Sequence, residues 1–517
     1  MEAAGDARTS PVGGSADNSE DHDDERQIAA AVALARRLVD AAAVLDARAT
    51  RRRRRRRNRL RTIVHDPGAA EFTVHLTDEI PRVADPRRAA SRFARLVSHA
   101  DLSAFSTTDR LSLRIGALVA PVVPRLVMPL VGRRLRAESA DVVLPADDPG
   151  LGRHLAERRR AGIRPNLNVL GESIVGDHEA QKRLDAVLQR MHRPDVDYVS
   201  VKVSAVCAGL SALAFEYTTD RIVEPLREIY AAAAACDPAV FVNLDMEEYR
   251  DLDLTVAAFR RALDEPEFEH LDAGIVLQAY LPDVYDVARE LGAWAVRRRA
   301  RGGGRTKVRL VKGANLAMET VEAEMRGWAT APFDTKGEVD ANYKAVLDVL
   351  VDEALDDALD VGVGSHNLFD VAWALGIRSS MLLAGRRDRI GIEMLEGMAP
   401  AQSAAVRAVA GDLLLYAPVV RRDEFPAALA YLVRRLDENT TPDNFLAQLF
   451  DLADEPERFE REAARFGAAV RRRRHVDHRP RRDQTRPSRP EPAATPGDSA
   501  FVNASDTDWT RAANRRW

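Results

Sequence analysis

Thiols are scarce in this chain: Cys207 and Cys236 are the only cysteines in 517 residues. Two thiols can supply neither a disulfide framework nor a thiolate metal cluster for a fold of this size. A reducing, cytoplasmic setting is therefore expected. The first residues are acidic and rich in Gly and Ser, without the basic flank and apolar stretch of a secretory signal. The histidines are scattered, and neither H-E-x-x-H nor paired C-x-x-C occurs, so no metal site is expected. A P-loop and a G-x-S-x-G elbow are missing too, which removes the usual parts of phosphoryl-transfer and serine-hydrolase chemistry. Long hydrophobic runs are also missing. The most apolar segment, residues 115–131, is cut by Pro121, Pro124 and Pro129 and carries Arg125, whereas a spanning helix needs about 20 mostly apolar residues. Finally, 76 basic and 80 acidic residues leave a net charge of only -4. Any attraction to nucleic acid or membrane must then be local.

What the chain does have is length, 46% hydrophobic content, and a clear change of pattern partway along. Residues 1–26 read as a disordered lead-in, and residues 27–161 as an α-helical arm and accessory domain punctuated by prolines. The arm runs into seven consecutive arginines, Arg51 to Arg57; with no aromatic interleaving they read as a solvated face, and nucleic-acid binding is not expected. Residues 115–131 read as a broken amphipathic helix pair packed on the protein. Peripheral contact with the inner face of the cytoplasmic membrane is the alternative.

From Arg164 onward, short β-branched runs alternate with stretches of helical length. There are eight: PNLNVLGE, DYVSVKVSA, AVFVNLDME, AGIVLQAYL, KVRLVKGA, LDVGVGSHN, DRIGIEMLEG and DLLLYAPV. Nearly continuous apolar strands each followed by a helix imply a parallel sheet covered by helices, and eight units close a barrel. The expected fold is thus α/β, a TIM-like (βα)8 barrel over residues 162–455. An open doubly wound sheet is the alternative, weakened because no strand leads into a G-x-G-x-x-G turn. Gly302, Gly303 and Gly304 precede a strand and read as a flexible loop. Residues 456–517, rich in Arg, Pro and Asp, read as a disordered linker.

Active sites of such barrels form at the carboxyl ends of the strands. Lys202, Asp245, Gln278, Arg309, Lys312, Ser365, His366, Asn367 and Tyr416 all belong to these runs or their ends. Each alone is as often a helix cap or loop anchor as a functional group. Lys202 and Asp245, however, are charges within apolar runs, costly unless they meet each other or a ligand. In the last helix, FPAALAYLVRRLDENT, Tyr431 lies three and four positions before Arg434 and Arg435 and shares their face. Paired guanidiniums beside a ring suit a carboxylate on a small, partly apolar molecule. A solvated basic surface is the plainer reading.

The stretches VSVKVSAV, VNLDMEEYRDLDLT, GIVLQAYLPD, VRLVKGAN, GSHN, EMLEGM and YAPV…YLVRRLDEN resemble, in order, the proline dehydrogenase family. The resemblance spans roughly residues 165–450. The helical region before the barrel and the phrase KGANLAMETVEAEMRGW are similar to the bifunctional proline utilisation flavoenzymes. The closing FVNASDTDWTRAANRRW resembles the opening of their aldehyde dehydrogenase module, so the chain reads as a split or truncated first half.

That resemblance implies oxidation of L-proline to Δ1-pyrroline-5-carboxylate by bound FAD, with electrons passing to a quinone and a separate pyrroline-5-carboxylate dehydrogenase as a candidate partner. It implies that Arg434 and Arg435 clamp the substrate carboxylate, that Tyr416, Tyr431 and Leu395 pack around the ring, and that Lys202 and Asp245 complete the wall. Arg309 would lie near the flavin N5 and Gln278 at the isoalloxazine edge. Lys312, Gly313 and Ala314 would line the phosphate and ribityl region, Ser365, His366 and Asn367 the adenosine side, with Met246 in the same cofactor set. Asn315 and Leu316 depart from the aromatic pair usual after KGA, and no ribbon-helix-helix segment is recognisable. A barrel oxidising another imino acid such as hydroxyproline, and a non-catalytic arginine-rich interaction protein, are the competing readings.

Overall fold

The computed structural model describes residues 15–50, 66–139, 142–147, 149–170, 174, 176–421, 424, 425, 428, 431, 445–449, 451–486 and 504–517. Eight parallel strands form its centre: β1 (Ile163–Val169), β2 (Tyr198–Lys202), β3 (Phe241–Asp245), β4 (Ala273–Gln278), β5 (Thr306–Val311), β6 (Leu359–Gly364), β7 (Ile390–Leu395) and β8 (Leu413–Val420). Each pairs with the next in sequence order, and β8 pairs with both β7 and β1, with Leu395 opposite Tyr416 and Leu167 opposite Ala417. The sheet closes on itself, so all eight expected runs are strands of one barrel. The open-sheet alternative is excluded by that closing pairing.

Sequence explains the closure. Strands such as β4, buried at every position, cannot face water on either side and must be sheathed by helices. The helices supply matching stripes: Phe215–Ala234 buries Ile222, Val223, Leu226, Ile229, Tyr230 and Ala233. Between helix Val284–Ala300 and β5, the buried guanidinium of Arg298 donates to the carbonyls of Leu263, Phe268, Leu271 and Gly304. The glycine run beside it is a packed turn, not the flexible loop expected. A β-carbon on Gly304 would lie 2.6 Å from Leu271 O, and one on Gly303 2.7 Å from Arg298 Cγ. Only residues without side chains allow that approach.

Two boundaries differ from expectation. A helix runs from Ser15 to Arg48, starting inside the presumed lead-in, and packs on helices Leu368–Leu383 and Pro400–Ala410. Asp24, within it, is buried and forks onto Arg473 at 2.7 and 2.8 Å. The presumed linker is likewise structured where described. Helix Pro456–Arg472 buries Phe459, Phe466 and Val470, and Phe466 stacks on Phe369. Further on, the buried ion pair Arg482–Asp508, at 2.9 Å, anchors residues 504–517. The composition misled because the basic side chains there pair with acids and aromatic faces elsewhere, such as Arg482 over Trp328. The arginine run 51–57 lies outside the described residues.

Residues 107–139 form two helices, Thr107–Val119 and Pro124–Ser139, attached to a small satellite core around Phe72, Phe93 and Val97. Among the described residues no helix is long and apolar enough to cross a membrane.

Candidate active site

The odd-numbered strands send four polar side chains into the barrel: Asn168 from β1, Asp245 from β3, Arg309 from β5 and Glu393 from β7. Alternate strands contributing one layer is how a closed eight-stranded barrel fills its interior; here the layer is polar, and its members form a chain. Asn168 Nδ2 donates to Asp245 Oδ2 at 2.9 Å. Arg309 donates through Nη1 to Asp245 Oδ1 at 3.0 Å and through Nε to Glu393 Oε2. Further side chains add to it. Tyr416 of β8 donates its hydroxyl to Asp245 at 2.8 Å, Ser200 of β2 lies 3.4 Å from Arg309 Nη1, and Lys307 of β5 holds Glu393 Oε1 at 2.6 Å.

Burial makes these charges dependent on one another. Desolvation opposes the charge on Arg309, which is 5% exposed, but Glu393 and Asp245 outweigh it and hold the guanidinium more firmly charged than usual. Glu393, 3% exposed, is likewise penalised by burial, and Arg309 and Lys307 still keep its carboxyl below the ordinary range. Burial, then the Asp245 charge, push the Tyr416 phenol far up, so it remains a donor. Among the buried atoms of this region that have no hydrogen-bond partner among the described residues are the Arg309 Nη2 donor and the Gln278 Oε1 acceptor. Gln278 closes β4, beside β5, and its amide donates to Met246 O at 3.3 Å.

The rest of the anticipated set divides. Lys202 stands beside Asp245 in register on adjacent strands but pairs with Glu247 at 2.9 Å, not with Asp245. Lys312 is held between Asp340 and Asp370, and Lys344 shares Asp370 at 2.9 Å. Gly313, at φ +116°, has no room for a β-carbon, which would fall 2.4 Å from the Tyr280 ring; Ala314 beside it is exposed. Ser365 accepts from the Asn367 N–H at 3.0 Å, and Asn367 caps helix Leu368–Leu383. His366 Nε2 accepts from the Leu395 N–H at 2.9 Å. Tyr416 lies within β8, not at its end, since the strand continues to Val420. Tyr431 packs on a cluster with Val143, Leu170, Val420 and Phe425. Arg434 and Arg435 lie outside the described residues.

Glu393, Asn168, Ser200 and Lys307 were missed in the sequence. The signal was there for Glu393: a charge inside the apolar run IGIEML, the same signal that singled out Lys202 and Asp245. Among the described residues no group of three or more His, Cys, Asp or Glu could hold a metal ion.

Comparison with known proteins agrees with this architecture. The family model described as proline dehydrogenase matches residues 151–448. The bifunctional protein PutA of Klebsiella aerogenes is 27% identical over 311 residues, 56% of this chain and 22% of that protein. The proline dehydrogenase of Deinococcus radiodurans is 32% identical over 192 residues, covering 36% of this chain and 53% of that protein. Among solved structures, proline utilization A from Corynebacterium freiburgense is 40% identical with a TM-score of 0.64, covering 74% of this chain and 36% of that one. The chain thus spans about a fifth of that curated bifunctional relative's length.

Proposed function

Since the chain belongs to the proline dehydrogenase family, we propose that it oxidises L-proline to Δ1-pyrroline-5-carboxylate with FAD in proline catabolism, passing electrons to a quinone. The observation carrying this reading is the pair of buried, unpartnered atoms, Arg309 Nη2 and Gln278 Oε1, on adjacent strands of the barrel. Leaving either unsatisfied costs about 1–3 kcal/mol, and an isoalloxazine edge, which carries both acceptors and donors, would satisfy both. FAD bound there would supply the acceptor for a hydride from the ring carbon beside the proline nitrogen.

The protein's own part is orientation and charge. Arg309 and Gln278 would hold the flavin ring, with Met246 behind it. Lys312, Gly313 and Ala314 would follow the ribityl and phosphate region, and Ser365, His366 and Asn367 the adenosine side. Lys202, Asp245, Tyr416, Tyr431 and Leu395 would wall the substrate. Arg434 and Arg435, assigned from sequence alone, would take its carboxylate in a forked pair. The exposed apolar faces of helices Thr107–Val119 and Pro124–Ser139 support peripheral contact with a membrane, where a quinone resides. A separate pyrroline-5-carboxylate dehydrogenase would receive the product.

Anaerobic titration of the purified protein tests the reading. A yellow protein whose flavin bleaches with L-proline, and far less readily with hydroxyproline, is the expected result. A preparation that stays colourless after reconstitution with FAD overturns it, as does a flavin that proline leaves oxidised.

A further inference from the structure

We propose that Lys307 and Glu393 fix the direction and the charge that Arg309 presents to the flavin, which makes Glu393 a positioning residue and Lys307 its partner. The inference rests on the FAD reading above. Lys307 and Arg309 are two residues apart on β5, so both side chains leave the same face of the sheet. Glu393 stands on β7, with β6 in between. It reaches both because β6 places Gly362 there. A β-carbon at that position would lie 2.2 Å from Glu393 Oε1 and 2.9 Å from Lys307 Cε.

The division of the carboxylate decides what Arg309 can do. Arginine and a carboxylate commonly form a fork of two parallel hydrogen bonds. Here that fork would join Nε and Nη2 to the two oxygens of Glu393. Instead Lys307 occupies Oε1 at 2.6 Å, Glu393 Oε2 takes Nε alone, and Asp245 takes Nη1. Nη2 is left buried and without a partner among the described residues. Lys307 therefore keeps that donor available, while Glu393 and Asp245 lock the plane of the guanidinium. Two cations face two carboxylates, so the group is formally neutral.

Charge at this place should register in the flavin. A hydride carries two electrons and one proton, so the ring gains one negative charge when proline reduces it. Removing the Glu393 charge leaves the group positive and should favour the reduced flavin; removing the Lys307 charge does the opposite. The test is the midpoint potential of the bound flavin, measured by dye-coupled titration, which needs no turnover. Glu393→Gln is expected to raise it and Lys307→Met to lower it. Each shift should correspond to at least a tenfold change in the reduced-to-oxidised ratio, about 30 mV for a two-electron couple. The double variant should return close to the native value, and Lys307→Arg should keep it. Lys307→Met leaves the Glu393–Arg309 pair in place, so its sign alone decides should Glu393→Gln not fold. Shifts of the same sign in both single variants, or no shift with Lys307→Met, overturn the proposal. Loss of flavin binding in the native protein, or a flavin that proline cannot bleach, overturns the functional reading instead.

Discussion

Tyr416 donates its phenolic hydrogen to Asp245 Oδ2 at 2.8 Å across the barrel, although 171 residues separate the two in sequence. The contact joins β8 to β3 and adds to the hydrogen bonds that Asp245 accepts from Asn168, Asn243 and Arg309. Because burial and the Asp245 charge hold the phenol protonated, it stays a donor to that carboxylate. The Arg309 guanidinium also lies 5.4 Å from the Tyr416 ring centroid, so the ring is fixed on two sides.

Tyr416→Phe keeps the ring and removes only that donor. With a hydrogen bond to a charged group worth about 1.5–3 kcal/mol, kcat/KM for proline should fall roughly ten- to a hundredfold. Flavin content and melting temperature should stay near native, because Asn168 and Arg309 still satisfy Asp245. Steady-state kinetics within twofold of native would show that the bond plays no part in turnover.

Gly362→Ala probes the crowding around Glu393. The added methyl has no place without displacing the carboxylate or the Lys307 stem, and overpacking of a closed interior costs about 1–3 kcal/mol. Urea unfolding should show that loss. Gly391→Ala is the control: Gly391 lies opposite Gly362 on β7, and a β-carbon there meets nothing within 4 Å. Equal midpoints for the two variants would mean the interior is looser than its contacts imply.

The barrel was legible because each strand is a short run of apolar residues whose spacing is set locally, and eight of them leave few ways to hide both faces. Which polar residues meet inside was not legible. Asp245 and Lys202 share a register position, yet they turn to different partners because Arg309 arrives from β5 and Glu247 from beyond β3. Glu393 needs a glycine 31 positions earlier to reach Lys307, a relation that no local pattern contains. The helical ends of the chain were misread for a related reason. Asp24 and Arg473 look like surface charges in sequence and become a buried pair only through each other. Ser365 and Asn367 show the reverse, since part of their polar pattern is ordinary helix capping.

Stability should depend on pH through Glu319, which is buried at the start of helix Leu316–Arg326. Burial, opposed by the Tyr249 N–H that it accepts at 2.7 Å and reinforced by Glu322, pushes its carboxyl up to about 7 from an ordinary 4.5. The folded state then binds the proton more tightly than the unfolded chain does. Stability is accordingly lost as pH rises from about 4.5 to about 7, and is flat above. Glu319→Gln keeps the acceptor for Tyr249 and removes the titration. It should match the native protein at pH 4 and exceed it at pH 8 by up to about 3 kcal/mol, read from urea midpoints. Part of the native slope should remain, since Asp251 is also raised to about 7, by burial and then by Glu248. An identical pH profile in the variant would reject this account of Glu319.

The helices over residues 107–139 give the proposed membrane contact a direct test. Thr107–Val119 buries none of its residues, and Leu118, Val122 and Leu126 are 76%, 78% and 67% exposed. With Leu111, Ile115 and Leu130 they recur at intervals of three and four residues, the spacing of one helical face. Residues 107–136 contain six arginines and a single acid, Asp109, although the chain as a whole is acidic. An apolar face bordered by cations is the pattern of a helix lying in a lipid interface, where each cation near an anionic surface adds about 1 kcal/mol. The protein should therefore sediment with vesicles rich in anionic phosphatidylglycerol and far less with phosphatidylcholine, and raised salt should release it. Replacing Leu118, Val122 and Leu126 together by Asp should abolish sedimentation without lowering the melting temperature, because these side chains contribute little to the folded core. Equal sedimentation of the triple variant would assign the apolar face to another partner.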